Sequence, residues 1–476
     1  MPEQNTYRML INGALVAAAE TFAVVNPATG EEIARVPDAS EADLDAAIAA
    51  ARAAFPGWAA TPIAERKAKA LELAGAIMGH ADELKRLLTA EQGKPHADAE
   101  NEVGGAAGWL QGTCALDLPE TVNEDSEERI SITRHVPLGV VCAIAPWNFP
   151  LILAMFKLAP ALVAGNTVVL KPSPFTPLAT LRVAELIKDI FPAGVINVIT
   201  GSDRLGPWMT AHPGFDKISF TGSSATGRRV MASAAPTLKR LTLELGGNDA
   251  AIVLPDVDVE KVAPQLFWAA FINAGQICIA TKRLYIHKDI YPALRDAIAA
   301  YAATVKVGDG AEQGTQIGPV NNKQQYDRVL GLIADSKAQG YTVLTGGETI
   351  DGPGYFIPVT LIDNPPETAR IVQEEQFGPV LPLLSYDDID EVLTRVNASD
   401  YGLGGSVWSA DEDKAYAVAQ RIESGTVWVN EVQHITPTAA FGGWKQSGVG
   451  VEGGLEGLLE FTRTQVLTRK RNAEVA

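Results

Sequence analysis

Val140-Val141-Cys142-Ala143-Ile144 opens the stretch whose reading decides the fold. Its β-branched and apolar residues predict a fully buried strand. Ala145-Pro146-Trp147-Asn148-Phe149-Pro150 follows, and two prolines so close together predict an irregular turn before a helix. The same alternation continues downstream. Thr167-Val168-Val169-Leu170, Val195-Ile196-Asn197-Val198-Ile199 and Lys217-Ile218-Ser219-Phe220 read as strands, with helices over 178–190 and 224–235. Strand–helix alternation implies a parallel sheet wound on both faces, hence an α/β fold. A second alternating series starts after Gly246-Gly247, with strands near 250–253, 283–287 and 425–429. Upstream, Ser40 and Asp43 form a capping-box start, and Leu44, Ile48, Ala51 and Phe55 make the apolar stripe of a helix ended by Pro56-Gly57. Thr61-Pro62 opens the next helix, with proline at its tolerated first position.

A chain of 476 residues exceeds what one hydrophobic core serves, so two or more domains are expected. Its formal charge of −18 disfavours nucleic acid and anionic membranes as partners, because phosphates recruit clustered cations. The first six residues, Met1-Pro2-Glu3-Gln4-Asn5-Thr6, carry neither the basic nor the apolar region of a secretory signal. The most apolar stretch, 138–156, is interrupted by Pro146, Asn148 and Pro150, which argues against a membrane span. Three cysteines, Cys114, Cys142 and Cys278, are an odd and sparse set, pointing to a reducing compartment, the cytoplasm. The six histidines offer no short-spaced pair, so a zinc site is not supported.

Two segments carry reactive groups. Leu243-Glu244-Leu245-Gly246-Gly247-Asn248 sets a carboxylate beside paired glycines, and Gly275-Gln276-Ile277-Cys278 sets a thiol in a loop of small residues. A thiolate is a strong nucleophile, and a nearby carboxylate can activate water to release what the sulfur has captured. Phe220-Thr221-Gly222-Ser223 with Gly227 follows a strand and opens a helix, a place where backbone N–H groups can receive a phosphate. A plain structural turn is the alternative reading. Together with Pro146-Trp147-Asn148-Phe149-Pro150 and Glu374-Glu375-Gln376-Phe377-Gly378-Pro379, these motifs closely resemble the aldehyde dehydrogenase superfamily, over nearly the whole chain.

That resemblance implies a Rossmann-type cofactor domain (1–119 and 137–245), an α/β catalytic domain (246–445) and a small β arm (120–136 and 459–470) joining a homodimer or homotetramer. Read from the residues alone, 128–134 could equally be an internal edge strand. The resemblance also implies an NAD or NADP cofactor held by Trp147, Lys171, Ser173, Pro174, Gly222, Ser223, Gly227, Leu245, Glu375 and Phe377. Pro174 stands where many NAD-preferring relatives carry a glutamate, so the bar to a 2′-phosphate is missing and dual use is expected. By the same likeness Cys278 is the nucleophile, Asn148 an oxyanion donor and Glu244 the base for hydrolysis. Lys157 is expected in a supporting place near Cys278 or Asn148. The implied substrate is a medium-sized apolar or aromatic aldehyde, lined by Leu153, Phe156, Ile277, Ile279, Val432, Ile435 and Phe441, with Gln433 and His434 either recognising it or facing solvent. Ala440 and Val451 depart from the usual proline and arginine of the family. A CoA-acylating enzyme of the same fold, or a catalytically silent relative, are the alternatives; Glu244 favours hydrolysis over the first, and the joint presence of Cys278, Glu244 and Asn148 argues against the second.

Overall fold

The computed structural model describes residues 7–471; the hexapeptide read as lacking a secretory signal lies outside them. Five parallel strands form the centre of the first sheet, in the lateral order Ile196–Val198, Thr167–Lys171, Val140–Ile144, Lys217–Thr221, Arg240–Glu244. Chain order reverses between Val140–Ile144 and Lys217–Thr221. Loops leaving the carboxyl ends of strands on either side of such a point diverge and open a crevice. Met9–Ile11 and then Ala14–Val16 close one edge antiparallel, and Gly448–Val449 closes the other, against the strand that ends in Glu244.

Burial explains why these runs are strands. Val141 and Ala143 enter one apolar cluster, and Val140, Cys142 and Ile144 enter the other. Successive side chains point to opposite faces, so a run apolar at every position needs helices on both sides. Helices Ile63–Gly79, His96–Ala115 and Pro150–Ala164 cover one face; Glu41–Ala60 and Ser224–Ala234 cover the other.

Six parallel strands make the second sheet, ordered Thr360–Asp363, Val380–Tyr386, Thr281–His287, Asp249–Val253, Gly404–Trp408, Thr426–Val429. Thr342–Thr345 adds an antiparallel edge. Ala251, Val253, Leu284 and Ile286 face one cluster, while Ala250, Ile252 and Tyr285 face the other. A third sheet pairs Thr462–Lys470, Arg129–Pro137 and Thr121–Asp125 antiparallel. It stands out from the body: Thr462–Lys470 is exposed at every residue after Thr462.

Several sequence expectations need correction at their ends. The capping box forms as expected, with Ser40 Oγ accepting from Asp43 N at 3.2 Å and Asp43 accepting from Ser40 N at 2.9 Å. That helix does not stop at Pro56-Gly57 but runs to Ala60. Trp58, only 3% exposed, is buried by the extra turn and packs edge-on to Phe191 at 5.9 Å, which offsets the bond that proline removes. Pro62 caps the next helix instead of occupying its first position. The helix read over 178–190 ends at Ile187, three residues before the expected stop.

Candidate active site

Glu244 ends its strand at the carboxyl edge of the first sheet, beside the turn Gly246-Gly247 that crosses to the second sheet. Cys278 arrives from the opposite side, on the loop between helix Val259–Phe271 and strand Thr281–His287. That loop is bent tightly. Asn273 and Ala274 hold left-handed backbone angles, φ 52° and 56°, and Gly275 follows at 70°. Such angles are uncommon for residues with a Cβ and persist only where surroundings hold them. Here Asn273 Nδ2 donates to Asn148 O at 3.1 Å, and Gln276 Nε2 donates back to Asn273 O at 2.9 Å. A Cβ on Gly275 would lie 2.5 Å from Gly378 O, so glycine is required.

Asn148 is fixed from three directions. Its Nδ2 donates to Gln276 O at 3.0 Å, which ties it to the Cys278 loop. Its carbonyl oxygen accepts from Asn273 and from Lys94 Nζ at 2.9 Å. Lys94 is fully buried, paired with Glu102 at 2.5 Å and seated 3.7 Å over the Phe149 ring. Glu102 in turn accepts from Leu151 N at 2.8 Å, capping the helix that Pro150 begins.

Pro146, Trp147, Asn148, Gly222, Ser223, Leu245, Cys278, Glu375 and Phe377 line one cavity of about 140 Å³. Cys278 is half-buried, unlike Cys114 and Cys142. Burial pushes Cys142 up to about 12 and Cys114 to about 11, so both are inert thiols of the core. Burial also pushes Cys278 to about 12; the Lys282 ammonium acts in the opposite direction, and Asp249, Glu375 and Glu244 add to the rise. Both carboxylate oxygens of Glu244 are buried without a hydrogen-bond partner among the described residues. Burial, then the neighbouring Glu452, hold its proton well above the usual carboxylate range, while Lys157 draws it down.

Lys157 differs from expectation. Its ammonium makes no bond to Cys278 or Asn148; it donates to Thr221 Oγ1 at 2.7 Å and pairs with Glu452 at 2.8 Å, both charges buried. The helix carrying it lies behind the strand of Thr221, so the long side chain reaches Glu452 and the Glu244 side of the site. Glu452 itself was not singled out in the sequence, where it follows Val451 with no motif to mark it. Lys282 was also missed; a cation four residues after Cys278, the first charge after an uncharged run and directly before Arg283, was its signal.

A larger cleft of about 1000 Å³ extends the cavity along the first sheet, past Trp147, Lys171, Ser173, Pro174, Gly222 and Ser223. Ser223 caps helix Ser224–Ala234, accepting from Thr226 N at 3.2 Å, and a Cβ on Gly222 would strike the Phe220 ring at 2.5 Å. Lys171 ends its strand, its ammonium donating to Pro172 O alone among the described residues, and burial pulls it down to about 8. Arg229 lies in the same wall, a cation the sequence reading did not place there. Gly227 does not line the cleft. A Cβ there would lie 2.5 Å from Leu245, so this glycine lets the helix pack on Leu245.

Glu375 accepts from Gly247 N at 3.1 Å and faces Lys282 at 3.8 Å; burial raises its carboxyl above the ordinary range. Phe377 packs edge-on to Trp147, ring centres 5.2 Å apart. On the far side of Cys278, Ile277, Ile279, Phe441, Ile435 and Phe149 form one apolar cluster. Leu153 and Phe156 lie in the adjoining cluster, which Ile435 also touches, with Phe156 stacked on Trp109 at 3.5 Å. Val432 packs elsewhere, against the outer face of the second sheet. Gln433 is committed to Ala269 O at 2.9 Å, and His434 is exposed. Arg283 is buried and bonded to Asn248 O and Val396 O, a strut of the second sheet.

The aldehyde dehydrogenase family model matches residues 15–467. The chain belongs to the aldehyde dehydrogenase family. Membership places it among oxidoreductases that act on aldehydes. It is 46% identical to a probable aldehyde dehydrogenase of a Pseudomonas species, over 97% of this chain and 94% of that one. Phenylacetaldehyde dehydrogenase of Pseudomonas fluorescens is 40% identical, over 97% and 95%. Among solved structures, betaine aldehyde dehydrogenase of Staphylococcus aureus in complex with NAD+ superposes with a TM-score of 0.95 at 34% identity, over 99% of this chain and 96% of that one.

Proposed function

We propose that the chain oxidises an aldehyde to the free carboxylic acid, with NAD+ or NADP+, through a thioester on Cys278. One observation carries the reading: Cys278 and the Asn148 amide share a cavity, next to a buried Glu244 carboxylate that no group among the described residues satisfies. Once deprotonated, the Cys278 sulfur adds to the carbonyl carbon. The Asn148 amide and the Cys278 N–H donate to the resulting alkoxide, a kind of contact worth roughly 3–4 kcal/mol of barrier per donor. When bound, the nicotinamide supplies one thing, acceptance of hydride from that carbon. Glu244 then takes a proton from water, the hydroxide adds to the thioester, and the carbon–sulfur bond breaks to return the thiolate. Its raised proton affinity makes it a stronger base than a solvated carboxylate.

The large cleft fits a dinucleotide. Lys171 would hold the adenosine ribose, the free N–H groups after Ser223 would receive the pyrophosphate, and Glu375 would hold the nicotinamide ribose beside Phe377. Pro174 and Arg229 in the wall support use of both NAD and NADP. Aliphatic and aromatic side chains beyond Cys278 support an apolar or aromatic aldehyde, the class of substrate that the Pseudomonas fluorescens relative is named for. We assign residues up to 119 and 137–245 to cofactor binding and 246–445 to catalysis. The exposed three-stranded sheet is the oligomerisation arm; Val122, Val466 and Leu467 stand open to water on it. Three free thiols fit a cytoplasmic protein.

Single-turnover absorbance of reduced cofactor tests the mechanism. Glu244→Gln is expected to retain the burst and then stall, because acylation precedes the step that needs the base. Cys278→Ser is expected to lose the burst. Turnover strictly dependent on added CoA would overturn the hydrolytic reading.

A further inference from the structure

One buried ammonium organises the loop that carries Cys278. Lys282 is 3% exposed, and its Nζ donates to Ile277 O at 2.8 Å, Cys278 O at 2.6 Å and Ala280 O at 3.3 Å. A protonated amine has three N–H groups, and carbonyls of a single turn take all of them. The first two bonds grip the peptide planes on either side of Cys278. The peptides of the described chain are trans, so the Ile277 carbonyl and the Cys278 N–H point in opposite directions across one rigid plane. Tethering Ile277 O to Lys282 therefore turns the Cys278 N–H the other way. That N–H has no acceptor among the described residues.

We infer that Lys282 is a positioning residue that aims the Cys278 N–H as an oxyanion donor and holds a positive charge against the Cys278 loop, where it favours the thiolate. The inference rests on Cys278 being the nucleophile and adds the group that prepares it. Of the groups that act most on the sulfur, Asp249, Glu375 and Glu244 oppose ionisation and Lys282 favours it, while Arg328 on helix Lys323–Ala338 adds a second cation to the lining of the same cavity. Lys282 also faces the Glu375 carboxylate, at 3.8 Å.

Alkylation of the cofactor-free protein by iodoacetamide across a pH series tests the charge without turnover. Peptide mass mapping reads Cys278 separately from the buried Cys114 and Cys142. Lys282→Gln keeps N–H donors but no charge, and is expected to slow Cys278 alkylation at neutral pH about tenfold, a midpoint rise of about one unit. Glu375→Gln removes an opposing carboxylate and is expected to shift the midpoint downward, a sign that stands even where the Lys282 variant fails to fold. Superimposed native and Lys282→Gln profiles, or an upward or absent shift for Glu375→Gln, would overturn the electrostatic role. The aiming role predicts a slower burst in Lys282→Gln even at a pH where alkylation matches the native rate; an equal burst there would overturn it. Activity surviving in Cys278→Ser would defeat the mechanism proposed above, while the alkylation profiles would still decide on Lys282.

Discussion

Replacing Lys94 by methionine should damage both stability and the first chemical step. The side chains of Lys94 and Glu102 have no exposure, and their charges meet at 2.5 Å. Methionine fills similar volume with an unbranched chain, so the change removes charge more than packing. It strands the Glu102 carboxylate with only the Leu151 and Ile152 N–H groups for compensation. Breaking a buried pair in this way costs about 3–5 kcal/mol. The Asn148 carbonyl keeps Asn273 but loses its second donor, so the amide near Cys278 is held less firmly. Loss of one oxyanion donor costs about 10²–10³ in rate, and partial misplacement should cost at least tenfold in the burst. Urea titration reads the first effect, and stopped-flow absorbance of reduced cofactor reads the second. Adding Glu102→Gln should recover most of the stability, since the amide oxygen still caps the helix without a buried charge. A loss below about 1 kcal/mol with an unchanged burst would refute the reasoning, because a pair that breaks so cheaply is not buried as described.

Glu452→Gln should move the acid limb of the hydrolysis step to lower pH. Glu452 raises the proton affinity of Glu244, and its removal also frees the Lys157 charge, so both changes help Glu244 ionise earlier. A shift of about one unit or more is expected in the pH–rate profile, and an unmoved limb would contradict the placement of Glu452. Pro174→Glu should suppress NADP use selectively, with a smaller loss for NAD. Two like charges about 4 Å apart repel by roughly 4 kcal/mol at an effective dielectric near 20. Steady-state kinetics with both cofactors checks this, and a native enzyme that already rejects NADP would refute it.

Strands such as Val140–Ile144 and Thr167–Lys171 were legible because unbroken β-branched runs have few other homes than a sheet covered on both faces. Glu244, Cys278 and Asn148 were legible as candidates through their motifs. Their meeting in space depends on the carboxyl end of the first sheet facing the amino end of the second, where the Cys278 loop enters strand Thr281–His287, and no local pattern encodes that. Lys157 shows the limit: its direction is decided by Thr221 and by Glu452, which lies 295 residues further along the chain. Gly227 shows another, since a glycine before a helix turn reads alike whether it makes room for phosphate or for Leu245. The helix running through Pro56 was decided by what its last turn buries, and burial of Trp58 is a tertiary fact.

The edge strand Gly448–Val449 has a consequence for how the enzyme is made. Glu244 pairs with Gly448, and Leu245 N donates to Ser447 O at 2.9 Å. During synthesis the ribosome delivers Glu244 about two hundred residues earlier, and over that interval its strand has an open edge with unpaired backbone groups. Lys157 likewise waits, buried beneath the sheet without its acid, until Glu452 emerges. Closing this edge is a late, long-range event that carries the entropy of a very large loop. Nascent chains should therefore hold a nearly complete first sheet before Glu244 has its final surroundings, and on the mechanism proposed above activity should appear only after the segment around Glu452 has docked.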